Sequence, residues 1–589
     1  MEKRSSYILV CMVLFAGFLA TACQTDDSIG YTSEDEKRLE LVRDYADRVL
    51  EQGSDRWSGE NTPLLIDGMN VDTGEPVVWR YDGEEFVISN MANQQNLFRV
   101  LTGLSNLTDD SQYVDAATAS IRYHFDHLAD ESGLLRWGGH QFIDLQTLEP
   151  VGHFDANQHE FKNNFPFYEL MWEEDPEATA QFIRAFWNAH IFDWEMLDMN
   201  RHGRWNLELG DLWDNEFGNP EPFFEGDGLT FINAGSDLMY SAGMLYGFNG
   251  EQGALDWARR LHGMYVNARH PDTGLGVYQY SRTRQRNEPI IPMSDVRHTY
   301  SSLGDRAANQ FGPHSEFAQL YGEDIFGDMP REGWRHWGGT IKGIYVRNGF
   351  LLLDMAESMG DAGASFLEGT ADGLRALADQ AYLPEENHFI PMWADGTDLR
   401  PLAEEIERIP YGYYCRQENC DPKSLWRPQE ADMEFLMTYA RAYRLTGDEQ
   451  FWEMSRNIAQ GLGLGEIGRT PGEGVSLNMN APGSDYDEIF ALLELYRGSQ
   501  HPAYLERARI VADRMIEAHY HNGYFFPTPN HVNANFNRIE PLAILSLDAT
   551  LRGEPELVPS HIGSRGYIHG RFDGMGRTTD GSAIWAVQR

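Results

Sequence analysis

The chain has 589 residues, a formal net charge of −44 at neutral pH, and 42% hydrophobic and 12% aromatic residues. A surface this acidic repels nucleic acid and suits high ionic strength, where screening removes much of the self-repulsion. The apolar fraction supports a large globular core, and no apolar run beyond the N-terminus is long enough to span a membrane.

Lys3 and Arg4 precede an apolar run from Tyr7 to Ala20, too short for a comfortable span, which ends in Leu19-Ala20-Thr21-Ala22-Cys23. These residues resemble a bacterial lipoprotein signal. The resemblance implies removal of residues 1–22, a lipid on Cys23 as the only link to a membrane, and export to the periplasm or the outer-membrane surface. Residues 23–35 then read as a polar tether. An ordinary cleaved signal with an incidental cysteine is the alternative. With Cys11 discarded and Cys23 lipidated, Cys415 and Cys420 are the only cysteines left, too sparse for a Cys-based zinc site. Export permits a disulfide between them, and two free thiols are equally compatible with the spacing.

Pro76 to Ile88, with Trp79 and Tyr81 alternating, is the clearest strand candidate. After it a unit recurs: an amphipathic helix, then Gly or Asn, then a short aromatic-rich extended stretch. Ala116 to Leu128 leads into Ser132 to His140, and Ala254 to Val266 into Thr273 to Tyr280. Thr370 to Ala381 leads into Asn387 to Ala394, and Arg507 to His519 into Asn522 to Pro529. Further helical patterns run from Glu177 to Trp187, Gly235 to Tyr246, Gly343 to Ser358, Asp432 to Leu445, Tyr486 to Arg497 and Ile539 to Arg552. The expected fold is mainly α: an (α/α) toroid of helix pairs with short β segments in the loops at one end. An open α-solenoid is the alternative, but its repeats are usually more regular than these. One catalytic domain is expected over 36–556. The stretch from Thr470 to Ser484 lies between two helices of the same ring, and 557–589 is a Gly/Arg-rich tail.

Binding a polyanion to so acidic a chain needs locally basic places. Arg282, Arg284 and Arg286 alternate, so an extended backbone points all three to one side. Arg331, Trp334, Arg335, His336 and Trp337 mix cations with indoles. Surface salt bridging is the plain reading of either cluster alone.

The densest chemistry runs from His140 to His202. His140, Glu160 in Asn157-Gln158-His159-Glu160-Phe161-Lys162, and His202 in Asn200-Arg201-His202-Gly203 supply two imidazoles and a carboxylate, a divalent-metal set with an arginine beside one ligand. Taken singly, each has a structural reading: a loop cap for His140, an ion pair for Glu160, a tie to Asp198 or Glu195 for Arg201, a packed ring for His202. The spacing of His140, Glu160, Arg201 and His202 resembles the metal and base constellation of the family-2 polysaccharide lyases, pectate lyases with an (α/α) toroid. His159-Glu160-Phe161-Lys162 followed by Pro166 to Met171 is similar to a motif of secreted bacterial proteins of that kind. The resemblance implies that His140, Glu160 and His202 hold the metal, that Arg201 is the base, and that the substrate is an acidic polysaccharide, pectate before ulvan or alginate.

The chemistry needs such a set. A uronate polymer is cut by β-elimination when a base removes the C5 proton and the bond to the C4 oxygen breaks. A cation on the carboxylate acidifies that proton. Two nitrogens and one oxygen suit Mn²⁺, Zn²⁺ or iron better than Ca²⁺, whose shell substrate oxygens could complete; Mn²⁺ is favoured, with Zn²⁺, Mg²⁺ or Ca²⁺ open. A free guanidinium stays protonated at ordinary pH. Arg201 is therefore either a base with a depressed pKa or a bidentate clamp on the carboxylate, with the proton going to Tyr168, His190 or His159. Lys162, Arg282 and Trp334 are the candidates for holding neighbouring sugars. Three other readings stay open. One is an unsaturated glucuronyl hydrolase using Asp211, Asp214, Asp227 or Asp237, and another is a glycoside hydrolase with paired carboxylates. The third is a lipid-anchored glycan-binding protein.

Overall fold

The computed structural model describes residues 29–81, 84–137, 141–152, 159–161, 163–222, 224–226, 228, 230–278, 280–283, 341–390, 392, 396, 398, 400, 428–563, 569–571 and 578–580. Its helices come in chain order as pairs. They are α1 (Ser33–Gly53) and α2 (Gln95–Thr108), α3 (Gln112–Tyr123) and α4 (Tyr168–Glu174), α5 (Pro176–His190) and α6 (Ile232–Asn249), and α7 (Gln252–Asn267) and α8 (Asn348–Met359). Then follow α9 (Ala364–Ala381) and α10 (Met433–Thr446), α11 (Glu449–Gly461) and α12 (Tyr486–Ser499), and α13 (Ala503–His519) and α14 (Glu540–Arg552). The even-numbered helices form an inner ring: α4, α6, α8, α10, α12 and α14 each pack on the next, and α14 packs on α2. The odd-numbered helices lie outside them. α3 bridges α2 to α4, and α14 also packs on α1, so the ring closes. This is the expected (α/α) toroid.

Burial separates the two rings. On α7 the buried residues Ala254, Leu255, Trp257, Ala258, Leu261, His262 and Tyr265 follow a helical stripe, as an outer helix requires. On α6 every residue from Ile232 to Leu245 is buried, so its sequence carries no one-sided stripe. Local signals set the helix ends. Thr32 and Asp35 form a reciprocal capping box at the start of α1. Asp175 caps α5, whose first residue is Pro176, so α4 stops where α5 starts. Gly250, Gly447 and Gly553 end α6, α10 and α14 in the left-handed conformation.

The two faces of the ring differ. Connections from an inner helix to the next outer one are tight turns, such as Gly447-Asp448 between α10 and α11. Connections from an outer helix to the next inner one are long and carry the β structure. The expected strand at Pro76 to Ile88 is the hairpin of β3 (Val78–Tyr81) and β4 (Glu84–Ser89). It follows β1 (Gly68–Asn70) and β2 (Glu75–Pro76) and pairs onward with β5 (Gln141–Asp144) and β6 (Glu149–Gly152) in one antiparallel sheet. Under this sheet Val77, Trp79, Ile88 and Phe142 make a small core of their own, with Trp79 edge-on to Phe142 at 4.8 Å. The main core runs around the ring. Trp187 of α5 is fully buried in it and donates to Leu238 O of α6 at 3.0 Å. A ring of that size removes about 150–250 Å² from water, roughly 4–6 kcal/mol of transfer before entropy.

Val558, His561 and Ile562, at the start of the expected tail, are buried against the ring. Residues 1–28 and Cys415 and Cys420 lie outside the described residues. Among the described residues no helix is long and apolar enough to cross a membrane.

Candidate active site

The site sits on the long-loop face, where the C-terminal end of α5 meets the N-terminal end of α6. After α5 the chain makes a hairpin of β7 (Ile191–Asp193) and β8 (Asp198–Met199) and returns along the end of the helix. Asn200 N donates to His190 O at 3.0 Å and Arg204 N to Ala189 O at 3.1 Å, so the returning chain satisfies carbonyls that a helix end leaves open. Gly203 then pairs with His159 through two backbone hydrogen bonds, 3.2 and 2.8 Å. That single bridge brings Glu160 beside Arg201 and His202.

Glu160 is 2% exposed and Arg201 4%. Arg201 Nε stands 3.7 Å from Glu160 Oε1, and His202 Nε2 stands 3.8 Å from Glu160 Oε2. Both distances exceed a hydrogen bond. Glu160, Phe161, Phe186, His190, Arg201, Asn233, Ala234 and Asp237 line one small pocket. Arg201 also lies over the Phe231 ring, 5.7 Å from its centre. A guanidinium and a carboxylate at this range attract by about 4 kcal/mol at an effective dielectric of about 20. A divalent cation with ligand bonds of about 2.1 Å fits between an oxygen and an imidazole nitrogen at this separation. Glu160 and His202 therefore fit the metal-ligand roles by donor type and spacing. His140, the third expected ligand, lies outside the described residues.

His190 is engaged at both ring nitrogens. Nδ1 is 2.8 Å from Asn200 O, which can only accept, so Nδ1 carries the proton. Nε2 then accepts from His159 Nδ1 at 2.8 Å. Burial lowers the His190 pKa to about 4 and the His159 pKa well below its usual value, so both rings are neutral near pH 7. A methyl group on Gly203 would lie 2.5 Å from His190 Nε2; only glycine lets the chain pass this ring.

Tyr168 opens α4 and is fully buried, 5.8 Å from the Tyr240 ring, with its pKa raised by burial and then by Asp237. The Asp198 carboxylate accepts from Gly228 N at 3.1 Å and pins the segment before α6 to β8. A methyl group on Gly228 would lie 2.0 Å from Met199 O. The backbone of Arg282 pairs in parallel with Glu225, beside that segment. The Arg282 side chain, Lys162 and Trp334 lie outside the described residues, as does Asp227. Asp211 and Asp214 are exposed.

Asp237 and Asn233 line the pocket from one face of α6, four residues apart. Burial pushes the Asp237 carboxyl well above the usual range, a backbone hydrogen bond from Asn163 opposes this, and the charge of Glu160 adds to it. Asp237 was anticipated only as a hydrolase acid, and Asn233 not at all. Their i, i+4 spacing at the head of a long apolar helix was the available signal.

The sequence pattern of the family described as periplasmic pectate lyase matches residues 62–571. The chain belongs to this family. It is a polysaccharide lyase of pectate-lyase type, and the matched span contains Glu160, Arg201 and His202. A pectate disaccharide-lyase of Dickeya dadantii (strain 3937) is 32% identical over 555 residues, covering 91% of the lyase described here and 93% of the relative. Among solved structures, a sugar epimerase from a ruminal bacterium aligns at a TM-score of 0.38 and 12% identity, covering 73% of this lyase and 86% of the epimerase. A GH76 α-mannanase of Bacteroides thetaiotaomicron aligns at 0.38 and 9% identity, covering 88% and 96%. Alignments this loose add nothing to the closed ring seen in the lyase's own packing.

Proposed function

We propose that this lyase cleaves a polygalacturonate-type polymer by β-elimination with the help of a divalent cation, Mn²⁺ before Ca²⁺, Zn²⁺ or Mg²⁺. The observation that supports the reading is the buried cluster of a carboxylate, a guanidinium and an imidazole, Glu160 with Arg201 at 3.7 Å and His202 at 3.8 Å. Glu160 and His202, with His140, would hold the cation. Bound there, it would neutralise the uronate carboxylate and acidify the C5 proton. Arg201 would take that proton if the cation and neighbouring charges depress its pKa, and would otherwise clamp the carboxylate with its planar fork. The C5–H electron pair becomes the C4–C5 double bond, the C4–O4 bond breaks, and the departing oxygen takes a proton from solvent. Lys162, Arg282 and Trp334 are proposed to hold neighbouring sugars. The name of the Dickeya relative supports pectate as polymer and a disaccharide as product.

The periplasmic description of the family favours an exported chain, and a lipid on Cys23 is proposed as its anchor. Tyr31 donates to Asp548 at 2.7 Å and packs under Arg552, the last residue of α14, on the tight-turn face. Such an anchor would hold that face toward the bilayer and turn the long-loop face outward.

Incubation of the signal-free protein with polygalacturonate, ulvan and alginate tests the reading. Metal-dependent appearance of the ultraviolet absorbance of the conjugated product is expected on polygalacturonate, lost with EDTA and restored by Mn²⁺. Full activity after exhaustive chelation would remove the cation from the proposal, and absorbance on another polymer alone would replace the substrate.

A further inference from the structure

Glu160 and the Arg201-His202 pair stand on two chain segments that the backbone joins only at the His159–Gly203 bridge among the described residues. A bridge of one residue pair leaves the segments free to twist against each other. A second link exists, and it is made of side chains. His159 precedes Glu160 and gives its Nδ1 proton to His190 Nε2, 2.8 Å away. His190 gives its own Nδ1 proton to the carbonyl of Asn200, the residue before Arg201, at 2.8 Å. Asn200 Oδ1 in turn accepts from His202 N at 3.0 Å. Both rings are rigid and almost fully buried, His159 at 0% and His190 at 1% exposed. Phe186 lies 5.6 Å from the His159 ring and 4.6 Å from the His190 ring, and Trp205 lies 5.3 Å from His159. These apolar walls offer neither ring another partner.

We propose that His159 and His190 are a positioning pair: their linked rings set the separation of Glu160 from Arg201 and His202, and neither ring receives the substrate proton. His190, with both nitrogens used in structural bonds, has no lone pair to offer a sugar; His159 Nε2 keeps one, but it is buried among Phe161, Phe186 and Trp205 without a polar partner among the described residues. Hydrogen bonds one step removed from metal ligands commonly change metal affinity or rate by about 10- to 100-fold when removed.

The test compares two substitutions at one position. His159→Asn puts an amide N–H near the place of Nδ1 and keeps the donor to His190. His159→Leu removes the donor and keeps the volume roughly constant. Resting on the cation reading above, the first readout is Mn²⁺ affinity by calorimetry on metal-stripped protein. The second is kcat and KM on polygalacturonate. His159→Leu is expected to weaken Mn²⁺ binding and lower kcat, each by about tenfold or more, with KM within about twofold of the parent. His159→Asn is expected to recover both to within a few fold. Parent-like Mn²⁺ affinity and kcat in folded His159→Leu would overturn the proposal. So would loss of kcat in His190→Gln together with loss of one ionisation from the pH profile at unchanged Mn²⁺ affinity, because that marks His190 as the base. If His159→Leu fails to fold, His190→Asn decides. It keeps the donor to Asn200 and strands the proton of His159, so the same losses are expected, and parent-like values again overturn the proposal. If the parent itself takes up no Mn²⁺, the cation reading falls, and the contrast in kcat between His159→Leu and His159→Asn still decides the pair.

Discussion

Arginine meets glutamate at both ends of the ring, and the two meetings differ by about an ångström. Near the tight turns Arg441 holds Glu494 at 2.8 Å and Arg444 holds its other oxygen at 2.9 Å. Arg441 also reaches Asp354 at 2.9 Å and covers the face of Phe350 at 3.9 Å. Burial alone would raise the Glu494 pKa, but the surrounding arginines outweigh it and hold the carboxyl down at about 2. On the long-loop face Glu160 is equally buried, yet Arg201 and His202 stop at 3.7 and 3.8 Å. The residue types match and the jobs differ. A closed pair directs its charge at its partner and fixes helix against helix. The wider spacing around Glu160 is the geometry on which the proposed cation and sugar-carboxylate roles rest.

Substitution at each end breaks the comparison in a different observable. Arg201→Ala should lower kcat per folded molecule on polygalacturonate by about 10³-fold, the range for a positioned proton acceptor. A loss confined to KM would assign Arg201 to clamping the carboxylate instead. Glu494→Gln should do the reverse: activity per folded molecule is kept, while unfolding free energy in urea falls by about 3 kcal/mol because buried arginines lose their counter-charge. The sign with pH follows from the depressed pKa. The stability from Glu494 is fully present above its ordinary value of 4.5 and is lost as pH falls through about 2, so the gap between parent and Glu494→Gln should close on acidification through that window. Glu160→Gln should weaken Mn²⁺ binding and activity by about 100-fold, read by titration of metal-stripped protein, with little effect on stability. Asp198→Asn should have the smallest effect. It weakens the hold on Gly228 N behind β8, and about 1 kcal/mol, or roughly a fivefold fall in kcat, is expected. A null result there would mean that the loop before α6 does not support Arg201.

The fold was legible where burial is one-sided. α7 and α13 show a stripe and were expected within four residues of their bounds, and α9 was expected with its end correct but its start six residues late. α2 and the short α4 lie in the inner ring and were not expected; α2 carries apolar residues at helical spacing, Leu97, Phe98, Leu101, Leu104 and Leu107, and buries the polar Gln95, Asn96 and Arg99 on its other side. α11 carries the spacing at Phe451, Ser455 and Ile458 and was also not among the expected elements. At the site, Glu160, Arg201 and His202 were legible because unusual residues stand together in two short motifs. His190 drew attention as a candidate base. That both its nitrogens are occupied depends on a carbonyl at Asn200 and a ring at His159, and neither bond has a trace in the spacing.

The sequence by itself determined the class of helices, the acidic surface and the residue types that lyase chemistry needs, because periodicity and side-chain chemistry are local properties of a chain. The tertiary structure alone decided which of those residues meet. Ring closure of α14 on α2, the bridge from His159 to Gly203, and the open spacing around Glu160 join segments tens to hundreds of residues apart, and their distances come from packing that no local pattern encodes.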